Sequence, residues 1–121
     1  MNPRAKVCVK LVSSEGIGTI AAGVAKAGAD VINVAGNSGG TGAAQQSSIF
    51  HAGLPAEIGV AEVDRALRKI GYRDLVQIRT SGGFKTADDV IKAAILGADL
   101  FEFGTTAMIT MGCKMQRTCN R

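Results

Sequence analysis

The chain has 121 residues, of which 46% are hydrophobic and 20% charged, and this composition is typical of one soluble globular domain. Its formal net charge is +4, the basic residues are scattered, and the only aromatic residues are four phenylalanines and Tyr72. Without a basic stripe interleaved with aromatic rings, we expect no nucleic-acid partner. There is no apolar run of about 18 residues and no charged-then-apolar leader, so we expect no membrane association and a cytoplasmic location.

Short apolar strands alternate with amphipathic helices along the chain. The predicted elements are, in order, a strand over Val7–Val12, a helix from Ile17 up to Gly28, a strand over Val31–Ala35, a long loop through Gly53, a helix over Leu54–Ile70, a strand over Leu75–Thr80, a helix that follows the capping sequence Thr86 to Asp89, a strand over Leu100–Phe103 and a helix from Thr106 to about Gln116. We expect Val60, Val63, Leu67 and Ile70 to share one face of the second helix. On the third helix we expect Val90, Ala94 and Ile95 to lie on one side.

Four consecutive βα units predict a parallel sheet with right-handed crossovers. Side-chain alternation then directs Val7, Val9 and Leu11 of the first strand toward helices. It places Cys8, Lys10, Gln77, Arg79 and Glu102 on the opposite face. A doubly wound sheet needs both faces apolar, whereas a (β/α)8 barrel tolerates polar groups inside, near its catalytic end. A full barrel takes eight units and about 250 residues. The expected fold class is therefore α/β, a single half-barrel domain over residues 1–121.

A half barrel leaves two strand edges and one polar face uncovered. Such edges pair readily with another chain, so we expect self-association, as a homodimer or a dimer of dimers. The polar face, which includes Asn33, would then be enclosed. Because enclosed charges need partners, we expect Arg79 and Glu102 to form an ion pair there.

Three glycine-containing loops follow predicted strands. The run Gly36–Ala43 comes after the second strand, Gly82-Gly83 after the third, and Gly104-Thr105 after the fourth. Glycine lets backbone N–H groups approach an anion closely, so these loops are candidate sites for a phosphate or sulfate ion or a phosphorylated cofactor. The alternative is that they are tight turns that need glycine for conformational reasons.

Nearly the whole chain resembles the C-terminal half of the FMN-binding barrel of glutamate synthases. The motifs that carry the resemblance, in chain order, are VKLV (Val9 to Val12), GIGTIAAGVAKAGAD (Gly16 to Asp30), GGTGA (Gly39 to Ala43), SSI (Ser47 to Ile49), HAGLP (His51 to Pro55), GG followed by KT (Gly82 to Thr86), LGAD (Leu96 to Asp99) and FGT (Phe103 to Thr105). The resemblance implies strands five to eight of a (β/α)8 barrel and an ancestral oxidoreductase that acts on the CH–NH2 group of donors in glutamate biosynthesis.

The resemblance also implies roles for individual residues. The FMN phosphate would rest on Gly82, Gly83, Gly104 and Thr105. Lys10 matches a lysine that contacts the flavin, where a cation stabilises the negative charge of the reduced ring, and it is the one catalytic candidate. Its alternative role is that of an interior lysine paired with Glu102. The residues that would line the cavity near the flavin are Gly39, Gly40, Thr41 and Gly42.

The three cysteines argue against a disulfide framework. Cys113 and Cys119 match the first two of three iron–sulfur ligands in the family, so residues 113–121 resemble part of that ligand segment. The third ligand would follow Arg121, and an assembled cluster is therefore not expected from these residues. Cys8 is interpreted as a small core residue. His51, the only histidine, is interpreted as a hydrogen-bonded loop residue rather than a base.

Departures from the family pattern concentrate near the expected chemistry. Phe50 replaces a lysine, Ser81 an aspartate and Glu102 a glycine. Two functions stay open: a glutamate synthase-like half barrel that binds FMN or phosphate but cannot complete the reaction alone, and a self-assembling scaffold without a ligand. A Lys10-dependent aldolase or isomerase fits poorly, because no acid–base partner is evident.

Overall fold

A computed structural model describes residues 2–39 and 45–116 of the chain. Four β-strands and five α-helices occur within this part. Their bounds are β1 Cys8–Val12, α1 Ile17–Lys26, β2 Val31–Ala35, α2 Gln46–His51, α3 Ala56–Lys69, β3 Gln77–Ser81, α4 Ala87–Ile95, β4 Leu100–Glu102 and α5 Thr105–Thr110. No helix of the described residues is long and apolar enough to cross a membrane.

The four strands form one parallel sheet in the order β1-β2-β3-β4. Lys10 pairs with Asn33, and Asn33 pairs with Arg79, so these three side chains form one row across the sheet. Glu102 pairs with Ser81 in a row nearer the carboxyl ends of the strands. Strands that run in sequence order and alternate with helices are consistent with half of a (β/α)8 barrel, as the sequence predicts.

The hydrophobic core lies on one face of the sheet. Ile32 and Ile78 on this face are buried beneath the helices, and Val60, Val63 and Leu67 of α3 cover them. The shared face predicted for α3 is thereby confirmed for these three residues, whereas Ile70 is the C-cap of the helix and is half-buried against the same core. The opposite face carries the polar row, and of the described helices α2 flanks it, at the carboxyl ends of β1 and β2. We call this second surface the inner face.

Several predicted boundaries and faces differ from the structure. The segment predicted as a long loop contains α2, and α5 ends at Thr110 rather than near Gln116. On α4, Ala93 is buried while Ala94 and Ile95 are exposed, so the predicted face is wrong. At about 100° per residue, Val90 and Ala93 share a side of the helix from which Ile95 points away.

Cys8 is exposed, which corrects its interpretation as a core residue. It lies on the inner face of β1, at the edge of the sheet, where none of the described residues covers it. Val7 precedes β1 and is also exposed, whereas Val9 and Leu11 are half-buried on the helix-covered side. The alternation predicted for the first strand is therefore correct within β1, but the predicted packing of Val7 is wrong, because the strand begins only at Cys8.

A network of charged side chains joins α3 to the amino ends of β3 and β4. The Arg73 guanidinium donates to Asp64 Oδ1 at 2.6 Å, to Asp99 Oδ1 at 2.7 Å and to the Gly97 carbonyl at 2.9 Å. The second oxygen of Asp99 accepts from the Ile78 backbone N–H at 2.7 Å. Because Arg73 is mostly buried, these bonds hold the start of β4 against β3.

Candidate functional site

The loops that follow β2 and β3 touch at the carboxyl edge of the sheet. A Cβ atom built on Gly39 would stand 2.4 Å from the Gly82 Cα, a distance that no side chain tolerates. The Gly36 N–H donates to the Ser81 carbonyl at 3.0 Å and ties the two loops together. Glycine at position 39 is therefore required by the close approach of backbone to backbone.

Gly82 and Gly83 have positive φ angles of 138° and 77°, so the turn itself requires glycine at both positions. Gly104 differs from them. Its φ is −103°, and a Cβ atom built on it would meet nothing within 4 Å among the described residues. Neither backbone conformation nor neighbouring atoms explain why position 104 lacks a side chain.

The loop after β4 lies beside the loop after β3. Thr106 Oγ1 donates to the Phe84 carbonyl at 2.6 Å. The Phe84 ring packs against Phe101 and Phe103, with centroids 6.0 Å apart in both pairs. Buried Phe84 thus anchors both loops, and it is a residue that sequence analysis missed.

Backbone donors are available at these two loops. Among the described residues, no hydrogen-bond acceptor lies opposite the N–H groups of Gly82, Gly83, Gly104 and Thr105. The Ser38 hydroxyl lies 3.5 Å from the position that a Cβ on Gly83 would take. Backbone N–H groups and a hydroxyl are the donors that hold phosphate groups in proteins.

A cleft of about 280 Å³ opens on the inner face at the carboxyl ends of β1 and β2. Lys10 and Gly39 both line it, so two of the predicted site residues share one cavity. Ser48 and Ile49 of α2 line its other side. Sequence analysis missed this contribution, because the short helix lacks a side-chain cap and a clear apolar period.

A polar cluster occupies the inner face next to Lys10. Glu102 accepts from Arg79 Nη1 at 3.1 Å and from Asn33 Nδ2 at 2.9 Å, and the Ser81 hydroxyl donates to Asn33 Oδ1 at 3.4 Å. The predicted ion pair between Arg79 and Glu102 is thus confirmed. Asn33 and Ser81 are buried beneath it.

The surroundings of Glu102 favour its charged form. Partial burial raises the pKa of the Glu102 carboxyl, but hydrogen bonds from Asn33 and Arg79 and the charges of Arg79 and Lys10 outweigh that effect. The pKa of Glu102 therefore lies below its ordinary value. Lys10 makes no ion pair among the described residues, so its alternative role as an interior lysine paired with Glu102 is wrong.

Other sequence-predicted residues lie apart from this edge or outside the described residues. Gly40, Thr41, Gly42 and Cys119 fall in segments that the structure does not describe. Cys113 is half-buried, and its Sγ accepts from the Met115 N–H at 3.5 Å. Within residues 2–39 and 45–116, no three His, Cys, Asp or Glu side chains gather as metal ligands do. The expectation about an iron–sulfur cluster therefore stays a prediction.

His51 is the last residue of α2 and is exposed. Its ring makes no hydrogen bond to the described residues, so it is not the hydrogen-bonded loop residue that was expected. It is also not among the residues that line the cleft beside Lys10. The structure gives His51 no role in the site.

Four parallel strands that alternate with helices, with glycine loops at the carboxyl edge, define an α/β protein whose fold is consistent with half of a barrel. A family model described as a conserved region in glutamate synthase matches residues 1–121, the whole chain. The chain therefore belongs to the glutamate synthase family.

Named relatives agree with this assignment. The chain is 58% identical over 120 residues to the glutamate synthase (NADPH) large chain of Azospirillum brasilense, covering 99% of this chain and 8% of that protein. It is 55% identical over 120 residues to the ferredoxin-dependent glutamate synthase of Pyropia yezoensis, again with 99% and 8% coverage. The ferredoxin-dependent glutamate synthase 2 of Arabidopsis thaliana is 57% identical over 120 residues, with 99% and 7% coverage. The chain thus spans less than a tenth of the length of these relatives.

Proposed function

We propose that this chain forms the flavin-binding half of a glutamate synthase-type barrel, and that its carboxyl edge binds the phosphate group of FMN. Gly82, Gly83, Gly104 and Thr105 would hold the phosphate through their backbone N–H groups. Lys10 would lie beside the flavin ring in the cleft. When bound, FMN supplies the two-electron redox chemistry that this class of enzyme uses.

The absence of a side chain at Gly104 is the observation that supports the proposal most directly. The missing side chain at this position has no explanation inside the described part of the chain, because φ is ordinary and the Cβ position is open. A ligand that needs the space gives a physical reason for glycine there. The N–H groups of the two neighbouring loops, without acceptors among the described residues, are the donors such an anion requires.

The residues of this chain have separate roles in the proposal. The glycine loops bind and orient the phosphate, and Lys10 provides a positive charge on the inner face. Lys10 is exposed and free of ion pairs within the described residues, so its charge is available to a ligand. The relatives are complete glutamate synthases many times longer, and we propose that this chain contributes the flavin site and not the whole reaction.

Titration of the purified chain with FMN tests this function. We expect FMN absorbance and fluorescence to change on binding and the thermal midpoint to rise with FMN concentration. Gly104→Val should abolish the FMN effects without lowering the midpoint of the unliganded protein, because the Cβ position is open. Lys10→Gln should weaken binding roughly tenfold, as loss of one charged contact predicts.

Lys26→Gln is the matched control for Lys10→Gln, since Lys26 is an exposed lysine in the last turn of α1. It should bind FMN as the unchanged protein does. Absence of any FMN effect on the unchanged chain would contradict the proposed function. Equal effects of Lys10→Gln and Lys26→Gln would remove Lys10 from the site.

Self-association is a second candidate function, favoured by the uncovered inner face and the two strand edges. Val12, the last residue of edge strand β1, lies on the inner face and is 54% exposed. Strand β4 ends the sheet on the other side. We propose that a second copy closes the barrel, with β4 of each copy beside β1 of the other.

A further inference from the structure

The polar cluster on the inner face is built around one carboxylate. Glu102 receives hydrogen bonds from both Asn33 and Arg79, and Asn33 is in turn held by Ser81. Asn33 is only 4% exposed, so the amide has little freedom to turn away. The position of the Glu102 carboxylate on β4 is therefore determined by one group on β3, its neighbour, and by one on β2, the next strand across the sheet.

The charged groups of the described inner face come from three strands. Lys10 belongs to β1, Arg79 to β3 and Glu102 to β4, while β2 contributes the neutral Asn33. Arg79 is engaged by Glu102 at 3.1 Å, and Lys10 has no ion-pair partner in the described residues. The net charge that a ligand meets there is +1, because Lys10 and Arg79 contribute two positive charges and Glu102 one negative charge.

We propose that Glu102 is a specificity residue that limits how strongly this edge binds phosphorylated ligands, because it occupies Arg79 and cancels its charge. A ligand anion then interacts with the loop N–H groups and Lys10, but not with an unneutralised arginine. This inference rests on the proposed anion-binding function of the same edge. It extends that function by naming a residue that works against binding rather than for it.

Electrostatics gives the direction of the effect. A fixed negative charge on the same face repels a phosphate dianion, and it also withholds a guanidinium that would otherwise attract one. Glutamine at position 102 keeps the shape of the side chain and an oxygen that accepts from Asn33. It removes the charge, and the charge of Arg79 is then available to the ligand.

The test compares three probes on the purified full chain by calorimetric titration at low salt. FMN and riboflavin share the ring but differ in the phosphate, and inorganic phosphate lacks the ring. We expect Glu102→Gln to bind FMN and inorganic phosphate about tenfold tighter than the unchanged protein, as loss of one nearby negative charge predicts. Riboflavin binding should not change.

Two further variants separate this effect from general ones. Asp74→Asn removes the same charge from an exposed loop before β3, at the opposite end of the sheet, and should leave all three affinities unchanged. Arg79→Gln added to Glu102→Gln should cancel the gain, because Arg79 is the group that Glu102 withholds. An equal gain in Asp74→Asn would mean that net charge alone acts, and this would overturn the proposal.

The outcomes also distinguish this proposal from the proposed function. If FMN binds the unchanged chain and Glu102→Gln binds it no tighter, the role of Glu102 is overturned while the flavin function stands. If no form binds FMN but Glu102→Gln binds inorganic phosphate more tightly, the flavin function fails and the role of Glu102 stands. If neither form binds FMN or phosphate, both are overturned.

Discussion

Thr80 lies in β3 on the helix-covered side of the sheet, between Val34 and Phe101 in the strand register. Its side chain is fully buried, and its hydroxyl finds no hydrogen-bond partner among the described residues. A buried hydroxyl without a partner loses its interaction with water and gains nothing in return. Thr80 therefore lowers the free energy of unfolding relative to an apolar side chain of the same shape.

Replacing Thr80 with valine should stabilise the protein. Thr80→Val keeps the β-branched shape and removes the unpaired polar atom, and we expect a gain of about 1 kcal/mol in the free energy of unfolding. Urea denaturation measures the gain. Thr80→Ser, which keeps the hydroxyl and loses a methyl group, should destabilise, and a loss of stability in Thr80→Val would contradict the assignment.

Gly39 and Gly23 give opposite predictions for the same change to alanine. In Gly39→Ala the new methyl would meet the Gly82 backbone, so the two loops must separate and the thermal midpoint should fall. Gly23 lies inside α1 with nothing within 4 Å of its Cβ position, and Gly23→Ala should stabilise by up to about 1 kcal/mol. Scanning calorimetry of both variants checks the pair, and equal midpoints would refute the contact.

At the scale of elements, the Asp64 carboxylate connects α3 to the loop that contains Arg73. Burial raises the pKa of Asp64. Hydrogen bonds from Arg68 and Arg73, together with the charges of these two arginines, lower the pKa by more than burial raises it, so the pKa of Asp64 lies below the ordinary value. A depressed pKa in the folded protein means that the carboxylate stabilises the fold above the pKa of the unfolded chain. This contribution disappears as the pH falls through the folded value.

Asp64→Asn should therefore destabilise the protein in a pH-dependent manner. We expect a loss of about 2 kcal/mol at pH 7, as for hydrogen bonds between charged groups, and a smaller loss below about pH 4. Urea denaturation across this range measures the difference. Asp88→Asn, at an exposed carboxylate of α4, is the charge-matched control. A loss for Asp64→Asn that does not change with pH would contradict this account.

For the whole molecule, closure by a second copy predicts a particle of twice the chain mass. Val12→Lys would place a charge on the inner face, where it is harmless in an open sheet but unfavourable in a closed barrel. We expect light scattering to show a dimer for the unchanged chain and a monomer for Val12→Lys. Ile95→Lys, at an exposed position of α4, should remain dimeric. A monomeric unchanged chain would refute the closure.

Much of the fold can be predicted from the sequence. Alternation of apolar and polar residues identifies the strand faces, and it predicts the pairing of Arg79 with Glu102. The exposure of Cys8 and Ile95 could not be predicted from this alternation, because exposure depends on whether another element covers a face. Strand β1 has a neighbour on one side only, and α4 packs through the small Ala93.

The candidate site was predicted in its parts but not in its arrangement. The glycine loops and Lys10 were predicted from motifs, and the structure brings Lys10 and Gly39 into one cleft. The backbone at position 104 does not need glycine for its conformation. Only the φ angle and the position of a Cβ atom in the structure reveal this. A motif records residue types and spacing, whereas free space is a property of atoms from distant parts of the chain.

The sequence by itself determined the four βα units, the parallel sheet and its polar face, because these follow from local periodicity and from the handedness of βα crossovers. Tertiary structure alone decided that Gly39 touches Gly82, that Phe84 anchors two loops, and that Lys10 remains unpaired among the described residues. The physical reason is that such contacts depend on strand register and loop conformation, which join residues far apart in the chain.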